Sequence, residues 1–173
     1  MILGDKEKFG VELEFTNSQK TKGHSRIWIN KKTIGNFDTI EILAPLMNPL
    51  CASLDFKIPE LNVDLLNSNV DIFELLSDFN IYQIYFHKMI ISDQTVAESF
   101  DSHTAFPAEN FDHLFISEFH YENHRYFLWT DISSLSTKPS ENQINIEKVY
   151  DSDYKDAIQL IKSYWESIAK SNL

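Results

Sequence analysis

The stretch from Lys8 to Phe15, KFGVELEF, alternates, with Phe9, Val11, Leu13 and Phe15 on one side and Gly10, Glu12 and Glu14 on the other. Successive side chains of a strand point to opposite faces, so a period of two marks a half-buried strand with one apolar face. The polar run Asn17 to Gly23 then predicts a turn, and HSRIWIN restarts the β-branched and aromatic pattern that suits a pleated surface. The two segments read as a hairpin. Asn30-Lys31-Lys32-Thr33 reads as a second tight turn before a short strand at Ile34, with Gly35 free to adopt backbone conformations that other residues resist. A sheet with one apolar face needs a cover. The strongest amphipathic pattern in the chain, residues 151–170, supplies one. Tyr154, Ala157, Ile158, Ile161, Tyr164, Trp165 and Ile168 form one stripe there, while Lys155, Gln159, Lys162 and Glu166 face away.

Between these ends the pattern is less regular. Asp38 or Thr39 could cap a short helix through Leu43, but Pro45 and Pro49 each remove a backbone donor, so residues 39–56 read as broken helix at best. Asn69 suits the N-cap of VDIFELLSDF, which predicts a helix near 70–79. Ile81 to Ile91 is apolar on both faces, as in a central strand. HLFISEF and HRYFLWT, joined by His120-Tyr121-Glu122-Asn123, predict another hairpin. DISSLSTKPSENQ is a loop, and INIEKVY a last short strand. The expected architecture is one α+β domain over 1–173: a mainly antiparallel β-sheet of about five to seven strands with helices packed on it, including the C-terminal amphipathic helix.

At 173 residues, 43% hydrophobic and with only 4 Gly and 5 Pro, the chain can bury a sizeable core and fold alone. MILGDKEKFG offers no signal-peptide apolar region, and no apolar run approaches the ~18 residues of a membrane span. A cytoplasmic protein with no membrane partner is expected. Cys51, the single cysteine, forms no internal disulfide and reads as a buried thiol.

The net charge of −11 is unevenly distributed: +3 over residues 1–32, −6 over 33–88, −7 over 89–124 and −1 over 125–173. Phosphate binding needs clustered Lys and Arg, so no nucleic-acid partner is expected, and a basic protein partner fits better. Residues 89–124 hold no Lys or Arg. Asp93, Glu98, Asp101, Glu109, Asp112, Glu118 and Glu122 are spread through them, with Phe100, Phe106, Phe111, Phe115, Phe119 and Tyr121 between. Two readings fit: a solvated loop whose aromatics turn inward, or an interface whose carboxylates steer a basic partner while the aromatics anchor it. The candidate binding residues are Asp93, Glu98, Asp101, Glu109, Asp112, Glu118, Tyr121 and Glu122.

Catalytic patterns are weak by comparison. In HYENH, His120 and His124 flank Glu122, but a zincin needs Glu directly after the first His on a helix, and this context is a hairpin. His87 falls in an apolar strand, where a hydrogen-bonded core histidine is commoner than a ligand. Glycines are too far apart for a phosphate loop, and Gly-x-Ser-x-Gly is missing. No catalytic residue, metal ligand or cofactor is assigned. A small hydrolase using histidines such as His87, His113, His120 and His124, or a scaffold module, are the rival readings.

GDKEKFGVELEF followed by GHSRIWINKKTIGNF resembles the N-terminal signature of the immunity protein 42 family of bacterial polymorphic toxin systems. Phe9, Val11, Glu12, Trp28, Ile29, Asn30, Ile34 and Gly35 carry the resemblance, which is densest over the first forty residues. Arg125-Tyr126-Phe127-Leu128-Trp129 and the terminal helix fit loosely. Lys31-Lys32 replaces a turn glycine, and the paired prolines interrupt a segment where a regular helix is expected. The resemblance implies a non-catalytic cytoplasmic antitoxin that binds the C-terminal domain of a toxin encoded next door, such as a basic nuclease, and occludes it. It supplies no functional residues to carry over.

Overall fold

The computed structural model describes residues 1–55, 111, 114–131 and 145–172. The chain divides into two compact units, one of Met1–Phe56, Phe106–Asp112 and Lys148–Leu173 and one of Lys57–Ala105 and His113–Glu147. The expected helix near 70–79 and strand at 81–91 lie outside the described residues.

The first unit is built on the predicted hairpin. Strands β1 (Ile2–Gly4), β2 (Phe9–Phe15), β3 (Lys22–Ile29) and β4 (Lys32–Ile34) are neighbours in that order, and β5 (Glu41–Ile42) also pairs with β3. All four pairings are antiparallel. Register follows the alternation: Phe9 faces Ile29, Val11 faces Ile27 and Leu13 faces Ser25 on the buried side. On the other side Gly10 faces Trp28, Glu12 faces Arg26 and Glu14 faces His24. Sliding the pairing by one residue would exchange these two rows, which is why the apolar row fixes the register.

Helix α2 (Asp151–Ser171) covers the apolar row, and helix α1 (Ala44–Ala52) packs against α2. The Phe9 and Tyr154 rings meet at a tilt of 58° with centroids 4.5 Å apart, and the Tyr154 hydroxyl lies 2.9 Å from Ser53 Oγ. Tyr154, Ala157, Ile158, Ile161 and Ile168 are buried as predicted. Trp165, half-buried, donates its indole N–H to Asn48 Oδ1 at 2.8 Å, tying α2 to α1. Each side chain buried in this way contributes about 1.5–3 kcal/mol. Asp151 and Asp153 in the first turn of α2 and Lys170 in the last complement the helix dipole. Close packing also explains Gly4, whose φ is +94° and where a Cβ would fall 2.5 Å from the Phe9 carbonyl oxygen and 3.2 Å from Ala157 Cβ.

Residues 39–56 correct the sequence expectation. Asp38 and Thr39 start no helix; Glu41–Ile42 is strand, and α1 then runs unbroken for nine residues. Pro45 sits at the helix start, where its missing N–H costs nothing. Pro49 lies inside and removes one hydrogen bond, yet Leu46, Met47 and Leu50 remain fully or nearly fully buried, so packing outweighs that loss.

The second sheet has the order β6 (Leu114–Tyr121), β7 (His124–Asp131), β8 (Asn145–Tyr150). Its hairpin closes on a two-residue turn, Glu122-Asn123, because Tyr121 pairs with His124. Arg125, Tyr126, Phe127, Leu128 and Trp129 are buried in succession, the mark of a middle strand covered on both faces.

In the β3–β4 hairpin both turn residues are left-handed, with φ of 47° at Asn30 and 74° at Lys31. That is the two-residue hairpin geometry that favours Asn-Gly. Lys31→Gly should therefore raise stability by about 0.5–1 kcal/mol, read as a higher urea midpoint with an unchanged m-value.

Candidate functional site

Of the residues singled out by charge, Asp93, Glu98, Asp101, Glu109 and Asp112 lie outside the described residues. Glu118, Tyr121 and Glu122 belong to the β6–β7 hairpin. Glu118 is 5% exposed and its Oε2 lies 3.5 Å from Nη1 of Arg125, itself 2% exposed. The register explains the pair: Glu118 faces Phe127 and His120 faces Arg125, so Glu118 and Arg125 are diagonal neighbours on one face. Tyr121 contributes the last rung of the ladder. Glu122 is exposed at the turn with φ of 54°. The structure therefore turns one of these carboxylates inward and the other outward.

His120 and His124 sit on the two strands of the same hairpin, one rung apart, and the His124 ring lies 6.2 Å from that of Tyr126. Among the described residues no three His, Cys, Asp or Glu side chains are grouped to hold a metal ion. His87 and His113 lie outside them. Cys51, half-buried in α1, has its thiol pushed up to about 11 by burial, with Glu166 also raising it and Lys162 acting the other way. It is protonated at neutral pH and correspondingly unreactive.

The most organised polar surface of the described residues is on the other sheet, on the face of β2 and β3 turned away from α2. Glu12 is its centre. Its Oε2 accepts hydrogen bonds from Arg26 Nε at 2.8 Å and Trp28 Nε1 at 2.9 Å, and Lys6 Nζ stands 3.4 Å away. Lys6 Nζ lies 4.2 Å from the Trp28 ring centroid. The Arg26 guanidinium carbon lies 5.0 Å from the Trp28 ring and 4.6 Å from that of Phe37, so the group rests against two aromatic faces. His24, two residues along β3, has its ring 5.8 Å from Phe37.

Burial alone would raise the Glu12 carboxyl. Hydrogen bonds from Arg26, Trp28 and Lys6, with the Arg26 charge, outweigh burial and hold it at about 2. Charge density along the sequence gave no sign of this cluster; the signal was the period of two, which puts Glu12, Arg26 and Trp28 on one face once β2 and β3 are paired. A carboxyl depressed on folding stabilises the protein above its unfolded value near 4.5, and that contribution fades as pH falls toward 2. Glu12→Gln should cost about 1–2 kcal/mol at pH 7. The gap from wild type should narrow between pH 4.5 and pH 2, as calorimetric melts across that range would show.

The described residues thus give an α+β fold in which an antiparallel sheet lies under a long C-terminal helix and carries an ion pair on its outer face. The crystal structure of CdiI from Burkholderia dolosa shares this fold, with a TM-score of 0.55 at 8% sequence identity, covering 96% of this chain and 99% of that one. A search of curated proteins found no match. The family model described as Immunity protein 42 matches residues 1–164, and the chain belongs to that family. It is an immunity protein of a toxin–immunity system.

Proposed function

We propose that the chain neutralises a cognate toxin domain by binding it and occluding its active cleft, with no catalysis of its own. The observation that carries this reading is the family match, which spans residues 1–164 of 173. The partner is the C-terminal toxin domain encoded by the adjacent gene, and the encounter takes place in the cytoplasm. Among the described residues no helix is long and apolar enough to cross a membrane.

The net charge of −11 favours a basic toxin, such as a nuclease whose cleft binds phosphate. Long-range attraction between opposite net charges raises the association rate, and desolvated anchors slow dissociation. Asp93, Glu98, Asp101, Glu109, Asp112 and the exposed Glu122 are candidates for the steering part. Glu118 contributes instead to holding the hairpin, because its carboxylate is buried beside Arg125.

Co-expression tests the proposal. The product of the adjacent gene should arrest growth alone, and this chain should restore growth and co-purify with it at a fixed stoichiometry. Growth arrest that persists, with no complex recovered, would sink the reading.

A further inference from the structure

Arg26 is anchored at one end and partly exposed. Its Nε is bound to Glu12 at 2.8 Å, and its guanidinium rests against Trp28 and Phe37. Among the described residues the guanidinium's hydrogen bond is made through Nε, and the side chain keeps 29% of its exposure. Glu14, the next acid on this face, stands opposite His24 and does not pair with Arg26. Lys6, 36% exposed, shares the same Glu12 oxygen, so two cations meet one carboxylate and a positive charge is left over. The imbalance extends to the surrounding segment, since residues 1–32 carry +3 in a chain of −11.

We propose that this guanidinium, clamped by Glu12, Trp28 and Phe37, is the docking point for a carboxylate side chain of the toxin domain; this rests on the toxin-binding reading above. Arg presents a planar fork that matches a carboxylate, and its usual drawback is the rotamer freedom lost on binding. Here the hydrogen bond to Glu12 and the two rings have already removed that freedom, so the fork is preorganised. Arg and Trp side by side are also the residue types that dominate binding energy at interfaces. Charge complementarity selects the occupant: an acidic group on a folded partner finds a local positive charge here, whereas an extended polyanion would meet the acidic remainder of the chain.

The test uses the full chain and two partners. In the first arm, acetylated tetraglutamate is titrated into the isotope-labelled protein while the Trp28 indole N–H and Arg26 Nε–H signals are followed by NMR. Saturable shifts at both are expected, with none from acetylated tetralysine. Arg26→Lys keeps the charge and loses the fork, and should weaken the response at least ~10-fold. Phe37→Leu, which leaves the Glu12 bond in place, should weaken it less, and serves alone if Arg26→Lys proves unfolded. Silence at Arg26 and Trp28, or equal affinity in the variants, overturns the proposal. In the second arm, a catalytically inactivated toxin domain from the adjacent gene replaces the peptide, and Arg26→Lys should again weaken binding by ~10-fold or more. Tight binding that ignores the substitution also overturns the proposal. Wild-type protein that binds tetraglutamate but not the toxin domain counts against the toxin reading instead.

Discussion

The pairing of β2 with β3 organises the first unit. Seven consecutive rungs, from Phe9 with Ile29 to Phe15 with Gly23, hold two strands whose side chains alternate in step. On one face this produces a continuous apolar row of Phe9, Val11, Leu13, Ile27 and Ile29, all almost wholly buried. Removing such a row from water is the largest favourable contribution available to a unit of this size. It requires a cover, and α2 provides the complementary stripe from Tyr154 to Ile168. On the opposite face the same ladder lines up Glu12 with Arg26 and sets Gly10 against Trp28, leaving room for the ring and its neighbours. Core and charged surface are therefore two consequences of one register. A change that loosened the ladder would disturb both.

The two carboxylates with Arg partners show how setting decides their use. Glu12 and Arg26 lie at the surface, with 17% and 29% of their side chains exposed, so desolvation is modest and three donors converge on one oxygen. The carboxyl is strongly acidic as a result. Glu118 and Arg125 are nearly inaccessible, at 5% and 3%. Desolvation there offsets most of the attraction, and such a pair chiefly penalises the loss of either partner. The buried pair suits the hairpin as a device that specifies how β6 and β7 align. The surface pair suits recognition, because part of its Arg is still available to solvent.

Much of this fold is legible in the sequence because it rests on local periodicity. KFGVELEF, the restart at HSRIWIN and the stripe of 151–170 map directly onto β2, β3 and α2. The β6–β7 hairpin was readable too, although its turn is two residues rather than four. Residues 39–56 were not, since propensity rules penalise Pro49 and cannot weigh the burial of Leu46, Met47 and Leu50 that compensates for it. The site is harder for a related reason. A charge count along the chain treats Glu118 as one of a base-free series, but the series stops at residue 124, one short of Arg125. Pairing is a property of the folded register, and linear charge density does not contain it. Conversely, Glu12, Arg26 and Trp28 look unremarkable along the chain because fourteen and sixteen residues separate the carboxylate from its donors.

Net charge and local charge do different work in an immunity protein. A net −11 acts over distances approaching a Debye length, ~8 Å at physiological ionic strength, and governs how often a basic partner arrives. It cannot by itself distinguish one basic toxin from another. Discrimination needs groups fixed in position whose wrong pairing is costly, because specificity is a difference between affinities. A guanidinium held between two rings by an internal carboxylate meets that requirement. As the proposed docking point, it would reward a partner with an acid at one point and penalise one with a base there, within an encounter that overall acidity would favour. A surface of opposite local sign would thus make an acidic immunity protein selective among basic toxins, and a rigid sheet face held by seven rungs is a suitable place to build it.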